Sequence, residues 1–146
     1  PFLCEKDNKW TGQCIWGLSW QDEIISSVPQ MKNSSTNTIL LSGSEKTEIK
    51  SQLESGGFKL VGASGAGYKL MAVILGLVDA YVLSKGSTYF WDTCSSSAIL
   101  KSVGGKIVDY SNAVDNGNIG EIIYKEANGD GCRNVGGIIA FRDSEV

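Results

Sequence analysis

Residues 91–100, with the sequence WDTCSSSAIL, contain the carboxylate best placed to do chemistry. Asp92 stands where a helix is expected to begin, and small side chains occupy the turn that follows. Such a carboxylate can face a cation while the small side chains leave room for a ligand. The same pattern fits a simple N-cap, in which the carboxylate accepts hydrogen bonds from the unpaired amides of the first turn. Taken alone, the pattern favours the N-cap.

A glycine-rich turn at residues 62–69, GASGAGYK, is the second candidate site. It joins an expected strand to an expected helix, so its backbone amides can approach an anionic or hydroxylated ligand. The turn matches neither the Walker A pattern nor the dinucleotide-binding pattern. Because a strand-to-helix turn needs glycine for backbone reasons in any case, the residues alone favour a structural role.

The chain contains no histidine, and this excludes several kinds of site. Ser-His-Asp and Cys-His catalysis both need an imidazole as the base. A zinc site is not expected either, because no C-x-x-C pair occurs among the four cysteines, Cys4, Cys14, Cys94 and Cys132. We expect these to be free thiols, with a Cys4–Cys14 disulfide as the alternative. Any chemistry must therefore rest on carboxylates, hydroxyl groups or metal ions.

Composition and charge limit the partners of the chain. Its 146 residues, 42% hydrophobic and 20% charged, predict one domain or less with a modest core. A net charge of -3 provides no general attraction to nucleic acid or to an anionic membrane surface. No apolar run approaches the roughly 20 residues that span a bilayer. We therefore expect a cytoplasmic protein that binds neither nucleic acid nor membranes.

The two candidate sites must be positioned by the strands and helices around them, which alternate along the chain. Apolar periodicity predicts a half-buried strand at residues 14–20, a buried strand at 58–63 and further strands at 80–83, 107–109, 122–124 and 137–141. Helices are predicted at residues 68–78 and 92–103, and from a Ser42/Glu45 capping box to Gly56-Gly57. The polar stretch at residues 26–37 is expected to be a surface loop. The alternation predicts α/β layers, with helices packed against a sheet.

Ordered blocks along nearly the whole chain agree with one known family. The run from Trp91-Asp92 through small residues and an apolar helix to Gly104-Gly105 resembles the second signature of the inositol monophosphatase family. The turn GAGYK at residues 65–69 is similar too, as are the blocks at residues 10–19, 44–46, 76–81, 104–109 and 136–140. Agreement of several blocks in order is more specific than any single motif.

The resemblance implies a fold and a reaction. The fold would be the layered α/β sandwich of the sugar phosphatase superfamily, with residues 1–146 as its carboxy-terminal lobe. The reaction would be a magnesium-dependent, lithium-sensitive removal of the 1-phosphate from an inositol polyphosphate, inositol 1,4-bisphosphate or inositol 1,3,4-trisphosphate. The alternative from the same superfamily is a 3'(2'),5'-bisphosphate nucleotidase.

The resemblance also implies a role for individual residues. Asp92 would be a magnesium ligand and the catalytic residue. The substrate would be bound by six residues: Ser44 and Lys46 at a phosphate, Gly65, Ala66 and Lys69 lining the inositol pocket, and Ser87 near the ring. We expect Asp92 to point into a cleft shared with residues 65–69, and the ammonium groups of Lys46 and Lys69 to converge on one anion.

The chain departs from the family pattern in two ways. Single residues differ at four positions, with Ser64 for Ala, Ser87 for Thr, Ser97 for His and Lys106 for Gly. The larger departure is that the Asp-Pro-Ile-Asp-Gly-Thr signature, which supplies other metal ligands in this family, occurs nowhere in the chain. We therefore expect the amino-terminal metal-binding half to be absent. The isolated fragment is expected to be inactive, with at most a binding or structural role.

Overall fold

The computed structural model describes residues 3–6, 9–21, 23–29, 35–126 and 128–142 of the chain. The first elements are two antiparallel hairpins. Strand β1 (Leu3–Lys6) pairs with β2 (Lys9–Gly12), and β3 (Gly17–Trp20) pairs with β4 (Glu23–Ser26). Each hairpin forms its own two-stranded sheet, separate from the larger sheet that follows.

A five-stranded mixed sheet forms the centre of the fold. Its strands, in chain order, are β5 (Thr38–Leu41), β6 (Lys59–Gly62), β7 (Ala80–Leu83), β8 (Gly105–Asp109) and β9 (Ile138–Arg142). In space their order is β6-β5-β7-β9-β8. Strand β5 runs parallel to both β6 and β7, whereas β9 is antiparallel to β7 and β8.

Helices cover both faces of this sheet. In the described part of the chain they are α1 (Thr47–Ser55), α2 (Ala66–Ile74), α3 (Phe90–Lys101) and α4 (Tyr110–Asn116). Apolar residues of α2 and α3 share one core cluster with Leu40 and Tyr81, while Leu53 of α1 and Tyr110 of α4 pack against Ile39 and Val82 on the other face. The predicted α/β sandwich is therefore confirmed. None of the described helices is long and apolar enough to cross a membrane.

The connections between the parallel strands run to opposite sides of β5. From β5 the chain passes through α1 to β6 on one side, and then through α2 to β7 on the opposite side of β5. Ligands of open α/β sheets bind outside the carboxyl ends of the strands at such a switch point. Here that point lies between β5 and β7.

Two of the strand predictions differ from the structure. Strand β6 is the edge strand of the sheet, so Lys59 and Val61 are exposed rather than buried. Residues 122–124 form no strand, because an isolated bridge between Val108 and Glu121 is the only β-pairing there in the described chain. Helix α4 and a short 3-10 helix, Gly129–Cys132, were not predicted.

The β3–β4 hairpin presents its apolar face outward, contrary to the half-buried strand predicted at residues 14–20. Trp16, Leu18 and Trp20 are 51%, 49% and 68% exposed. The opposite face packs against the end of α3 so closely that a Cβ atom on Gly17 would lie 1.9 Å from the Ser102 Oγ atom. Alternation indicates a strand, but which face is covered depends on a helix far along the sequence.

The polar stretch at residues 26–37 is only partly a surface loop. Ser26 ends β4, and Val28 is buried in the core. The Asp79 carboxylate accepts hydrogen bonds from the Thr36 and Thr38 amides, at 3.0 and 2.8 Å, and so anchors the entry to β5. Residues 30–34 lie outside the described residues.

The structure tests the prediction of free thiols at some of the cysteines. Cys14 and Cys94 are exposed and carry free thiols, as expected. The side chain of Cys4 lies outside the described residues. The structure therefore shows Cys14 without a disulfide.

Candidate functional site

The candidate site lies at the edge of the sheet where β5, β6 and β7 end. Because these strands are parallel, the segments that follow them, residues 42–46, 63–65 and 84–89, leave the sheet at the same edge. The predicted site residues are on these segments or on the first turns of α2 and α3: Ser44, Lys46, Gly65, Ala66, Lys69, Ser87 and Asp92. Their common edge follows from the topology. Their chemical roles stay predictions.

Asp92 lies in the first turn of α3, which begins two residues earlier than predicted. Its Oδ2 atom accepts a hydrogen bond from the Tyr89 amide at 2.9 Å, and its own amide donates to the Tyr89 carbonyl at 2.9 Å. The side chain is half-buried. The carboxylate thus helps to cap the helix. Within the described chain no hydrogen bond to Oδ1 is seen, so this oxygen can face a ligand.

The glycine-rich turn begins α2. Gly65 is the N-cap residue with a φ of 80°, a conformation that favours glycine, and Ala66 is the first residue of the helix. Gly65 has no side chain to cap the first-turn amides, and no side-chain cap is seen here in the described part of the chain. A helix start of this kind presents uncapped N–H groups that can bind an anion or a hydroxyl group.

Lys69 is buried beneath this turn, with 4% of its surface exposed. Its Nζ atom donates to the Ala63 carbonyl at 3.2 Å and lies 4.6 Å from the centre of the Tyr81 ring. Burial lowers the pKa of the ammonium group, and the negative charge of Glu45 partly opposes this. The ammonium group is therefore fixed by a carbonyl and an aromatic face rather than extended into solvent.

Glu45 was predicted only as part of a capping box, and that prediction is wrong. The N-cap of α1 is Lys46, which makes no side-chain cap, and Glu45 is buried with 5% of its surface exposed. Its carboxylate accepts hydrogen bonds from the Ser84 amide and hydroxyl, at 3.0 and 2.5 Å. Burial raises the pKa of the carboxyl, but hydrogen bonds from Ser84 and the Lys46 amide outweigh it and leave the pKa below its ordinary value.

Tyr81 is the residue on which the charges of Glu45, Asp92 and Lys69 all act. It is 1% exposed at the centre of β7, and burial together with the charges of Glu45 and Asp92 raises its pKa to about 12. The two carboxylates and the Lys69 ammonium group thus act on one ring, although they lie in three different segments. Periodicity identifies Tyr81 as a strand residue only, and nothing in its local sequence reveals these neighbours.

Ser44, Lys46 and Ser87 lie in the segments that follow β5 and β7, and all three are exposed. The Lys85 ammonium group donates to the Ser44 carbonyl, which joins the two segments. The Ser44 Oγ atom is 3.2 Å from the Ser42 Oγ atom. Since Lys46 is exposed and Lys69 is buried, the convergence of their ammonium groups on one anion stays a prediction.

The described residues do not by themselves fit a complete metal site. Among them, no group of three or more acidic or cysteine side chains lies close enough to hold a metal ion. Magnesium requires near-octahedral coordination by about six oxygen atoms, and Asp92 can supply only a small part of that set. Asp92 is compatible with one ligand position, and its role as a metal ligand stays a prediction.

Fold and site together define an α/β-sandwich protein with an anion-binding candidate site at a topological switch point. A sequence model described as the inositol monophosphatase family matches residues 6–136. The chain belongs to that family. The expected fold family is thereby confirmed by sequence as well as by architecture.

Individual relatives support the same assignment. Human inositol polyphosphate 1-phosphatase is 34% identical over an alignment of 173 positions, which covers 97% of this chain and 43% of that protein. Human 3'(2'),5'-bisphosphate nucleotidase 1 is 33% identical over 101 residues, covering 67% of this chain and 32% of that protein. A crystal structure of an inositol monophosphatase–fructose 1,6-bisphosphatase superposes with a TM-score of 0.57 at 16% identity, over 86% of this chain and 47% of that one. The chain thus spans less than half the length of these relatives.

Proposed function

We propose that the complete protein containing this chain is a magnesium-dependent phosphomonoesterase that removes the 1-phosphate from inositol 1,4-bisphosphate or inositol 1,3,4-trisphosphate. The observation that carries this proposal is the 34% identity to human inositol polyphosphate 1-phosphatase over 97% of the chain. Such similarity extends through all the segments that surround the candidate site, rather than through one motif.

Asp92 is the proposed link between this chain and the metal. Its Oδ2 atom is held by the Tyr89 amide, which fixes the orientation of the carboxylate and leaves Oδ1 for a cation. Bound magnesium would supply Lewis-acid chemistry at the phosphate group. Because one carboxylate cannot complete the coordination, the remaining oxygen ligands are proposed to come from other parts of the complete protein.

The substrate is proposed to be bound by the three segments at the switch point. Ser44 and Lys46 would contact a phosphate that does not react, while the uncapped amides at Gly65 and Ala66 would approach the ring or its phosphate. Lys69 would add positive charge from below the turn. Ser87, exposed at the end of the 84–89 segment, would lie beside the ring hydroxyl groups.

A comparison of two substrates tests this proposal. The complete protein is assayed at saturating magnesium with inositol 1,4-bisphosphate and with 3'-phosphoadenosine 5'-phosphate. We expect kcat/KM to be at least roughly tenfold higher for the inositol bisphosphate, a difference of about 1.4 kcal/mol. We also expect lithium to inhibit the reaction. If the protein hydrolyses neither compound, the proposal is wrong.

A second candidate function is a 3'(2'),5'-bisphosphate nucleotidase. The 33% identity to the human nucleotidase favours it, although that similarity covers only 67% of the chain. Both functions would use the same carboxylate and the same anion-binding turn. A kcat/KM ratio in favour of the adenosine compound would assign the protein to this class.

A further inference from the structure

The segment Ser44, Glu45 and Lys46 places one buried side chain between two exposed ones. Ser44 and Lys46 are exposed, whereas Glu45 between them is 5% exposed. Because Ser44 and Lys46 are joined directly to Glu45, whatever fixes the Glu45 side chain also restricts the positions of these two exposed neighbours.

The inward position of Glu45 is fixed by three donors. Its Oε2 atom accepts from the Ser84 amide at 3.0 Å, and its Oε1 atom accepts from the Ser84 hydroxyl at 2.5 Å and from the Lys46 amide at 2.9 Å. Ser84 directly follows β7, and Glu45 lies four residues after β5. The carboxylate thus fastens together the two segments that flank the switch point.

This arrangement is more than a packing contact. A buried carboxylate is costly unless its oxygens are satisfied, and a neutral residue of similar size would avoid that cost. The charge is also directed at the candidate site, because Glu45 acts electrostatically on Lys69 and Lys85. Lys85 in turn donates to the Ser44 carbonyl. The hydrogen bonds seen to the Glu45 carboxylate among the described residues thus all come from the two segments that flank the switch point, through Ser84 and the Lys46 amide.

We propose that Glu45 is a positioning residue, which orients Ser44 and Lys46 toward the substrate phosphate by fastening their segment to Ser84. This inference rests on the proposed function, since Ser44 and Lys46 contact substrate only if that function is correct. Glu45 itself touches no substrate atom. Its loss should weaken binding of the phosphate rather than slow the chemical step.

The test compares Glu45→Gln with wild type in the complete protein. The side chain keeps its size, but its NH2 group must face one of the two backbone donors, the Ser84 amide or the Lys46 amide, while its oxygen can accept from the other. We expect KM for inositol 1,4-bisphosphate to rise roughly tenfold, while kcat falls less than about threefold. The dissociation constant for inorganic phosphate, measured by calorimetry in the presence of magnesium, should rise by a similar factor.

Two further variants make the test specific. Ser84→Ala removes one hydrogen bond and no charge, so KM should rise roughly threefold in the same direction. It also decides the question if Glu45→Gln does not fold. Glu54→Gln removes an exposed carboxylate near the end of α1 and should change neither constant. An effect of Glu54→Gln as large as that of Glu45→Gln would mean that net charge, and not position, is responsible.

The outcomes separate this inference from the function on which it rests. Unchanged KM and phosphate affinity in a folded Glu45→Gln protein would overturn the positioning role, as would a fall in kcat with KM unchanged. Lack of turnover by wild type on both substrates would instead overturn the proposed function. In that case the phosphate dissociation constants still decide whether Glu45 orients an anion site.

Discussion

At the scale of single residues, one carboxylate can serve the helix and a ligand together. Asp92 Oδ2 accepts a hydrogen bond from the Tyr89 amide at the start of α3, and no hydrogen bond to Oδ1 is seen among the described residues. The capping and metal-binding interpretations of the sequence are therefore compatible. They are separated by a substitution that keeps the cap and removes the charge.

Asp92→Asn in the complete protein makes that separation. The Asn side-chain oxygen can still accept from the Tyr89 amide, so the melting temperature should stay within about 3 °C of wild type. Magnesium loses a charged ligand, and we expect kcat/KM to fall by at least ~100-fold, the upper range for loss of a partner that only supports a ligand. Phosphate release from inositol 1,4-bisphosphate and a thermal melt are the two measurements. Near-normal turnover would show that Asp92 is a structural cap alone.

The lowered pKa of the Glu45 carboxyl predicts that the stability of the protein depends on pH. Its folded-state pKa is lower than its unfolded value, so its contribution is fully present above the unfolded pKa and is lost as pH falls through the folded one. Wild type should therefore lose more stability than Glu45→Gln between about pH 7 and about pH 3.5. The neighbouring Lys69, Lys85, Tyr81 and Tyr110 are identical in both proteins. Thermal melts of the two proteins across this range provide the comparison, and a constant difference in melting temperature would contradict the assigned shift.

At the scale of elements, local periodicity predicts what is determined locally. Strand β7 has the predicted bounds, and α2 and α3 begin within two residues of their predicted starts. The predictions fail where a distant segment decides the outcome. Strand β6 is exposed because it lies at the sheet edge. Glu45 accepts a hydrogen bond from Ser84, which is 39 residues away, instead of forming the predicted capping box. The same limit applies to the candidate site, where resemblance selects Lys69 but no pattern reveals Tyr81 or Glu45 beside it.

The contact between the β3–β4 hairpin and α3 can be tested at a glycine. Gly17→Ala would place a methyl group within 1.9 Å of Ser102 Oγ and close to the Ile99 backbone. Overpacking of this kind should destabilise the complete protein by about 1–3 kcal/mol. Gly12→Ala is the matched control, because its Cβ atom would meet nothing within 4 Å. Urea unfolding measures both variants, and equal stabilities would mean that the hairpin does not approach α3 this closely.

At the scale of the whole molecule, two features support the proposal that other parts of the complete protein contribute to this region. The outward face of the β3–β4 hairpin exposes large apolar side chains, including Leu18, Trp20 and Ile25. Surfaces of this kind mark interfaces or promote aggregation. The candidate metal site is the second feature, since no group of three or more acidic side chains that could hold a metal ion occurs among the described residues.

These features predict that the 146-residue chain, produced alone, has no measurable phosphatase activity while the complete protein does. Magnesium seeks about six oxygen ligands, so a site with one protein carboxylate leaves most positions to water and binds the ion weakly. The assay is phosphate release from inositol 1,4-bisphosphate at saturating magnesium, with circular dichroism to establish that the chain is folded. Light scattering should detect association through the exposed hairpin face, and changing Trp20 to Ser should reduce it without restoring activity. Turnover by the folded chain alone would show that the site needs no ligands beyond those of this chain.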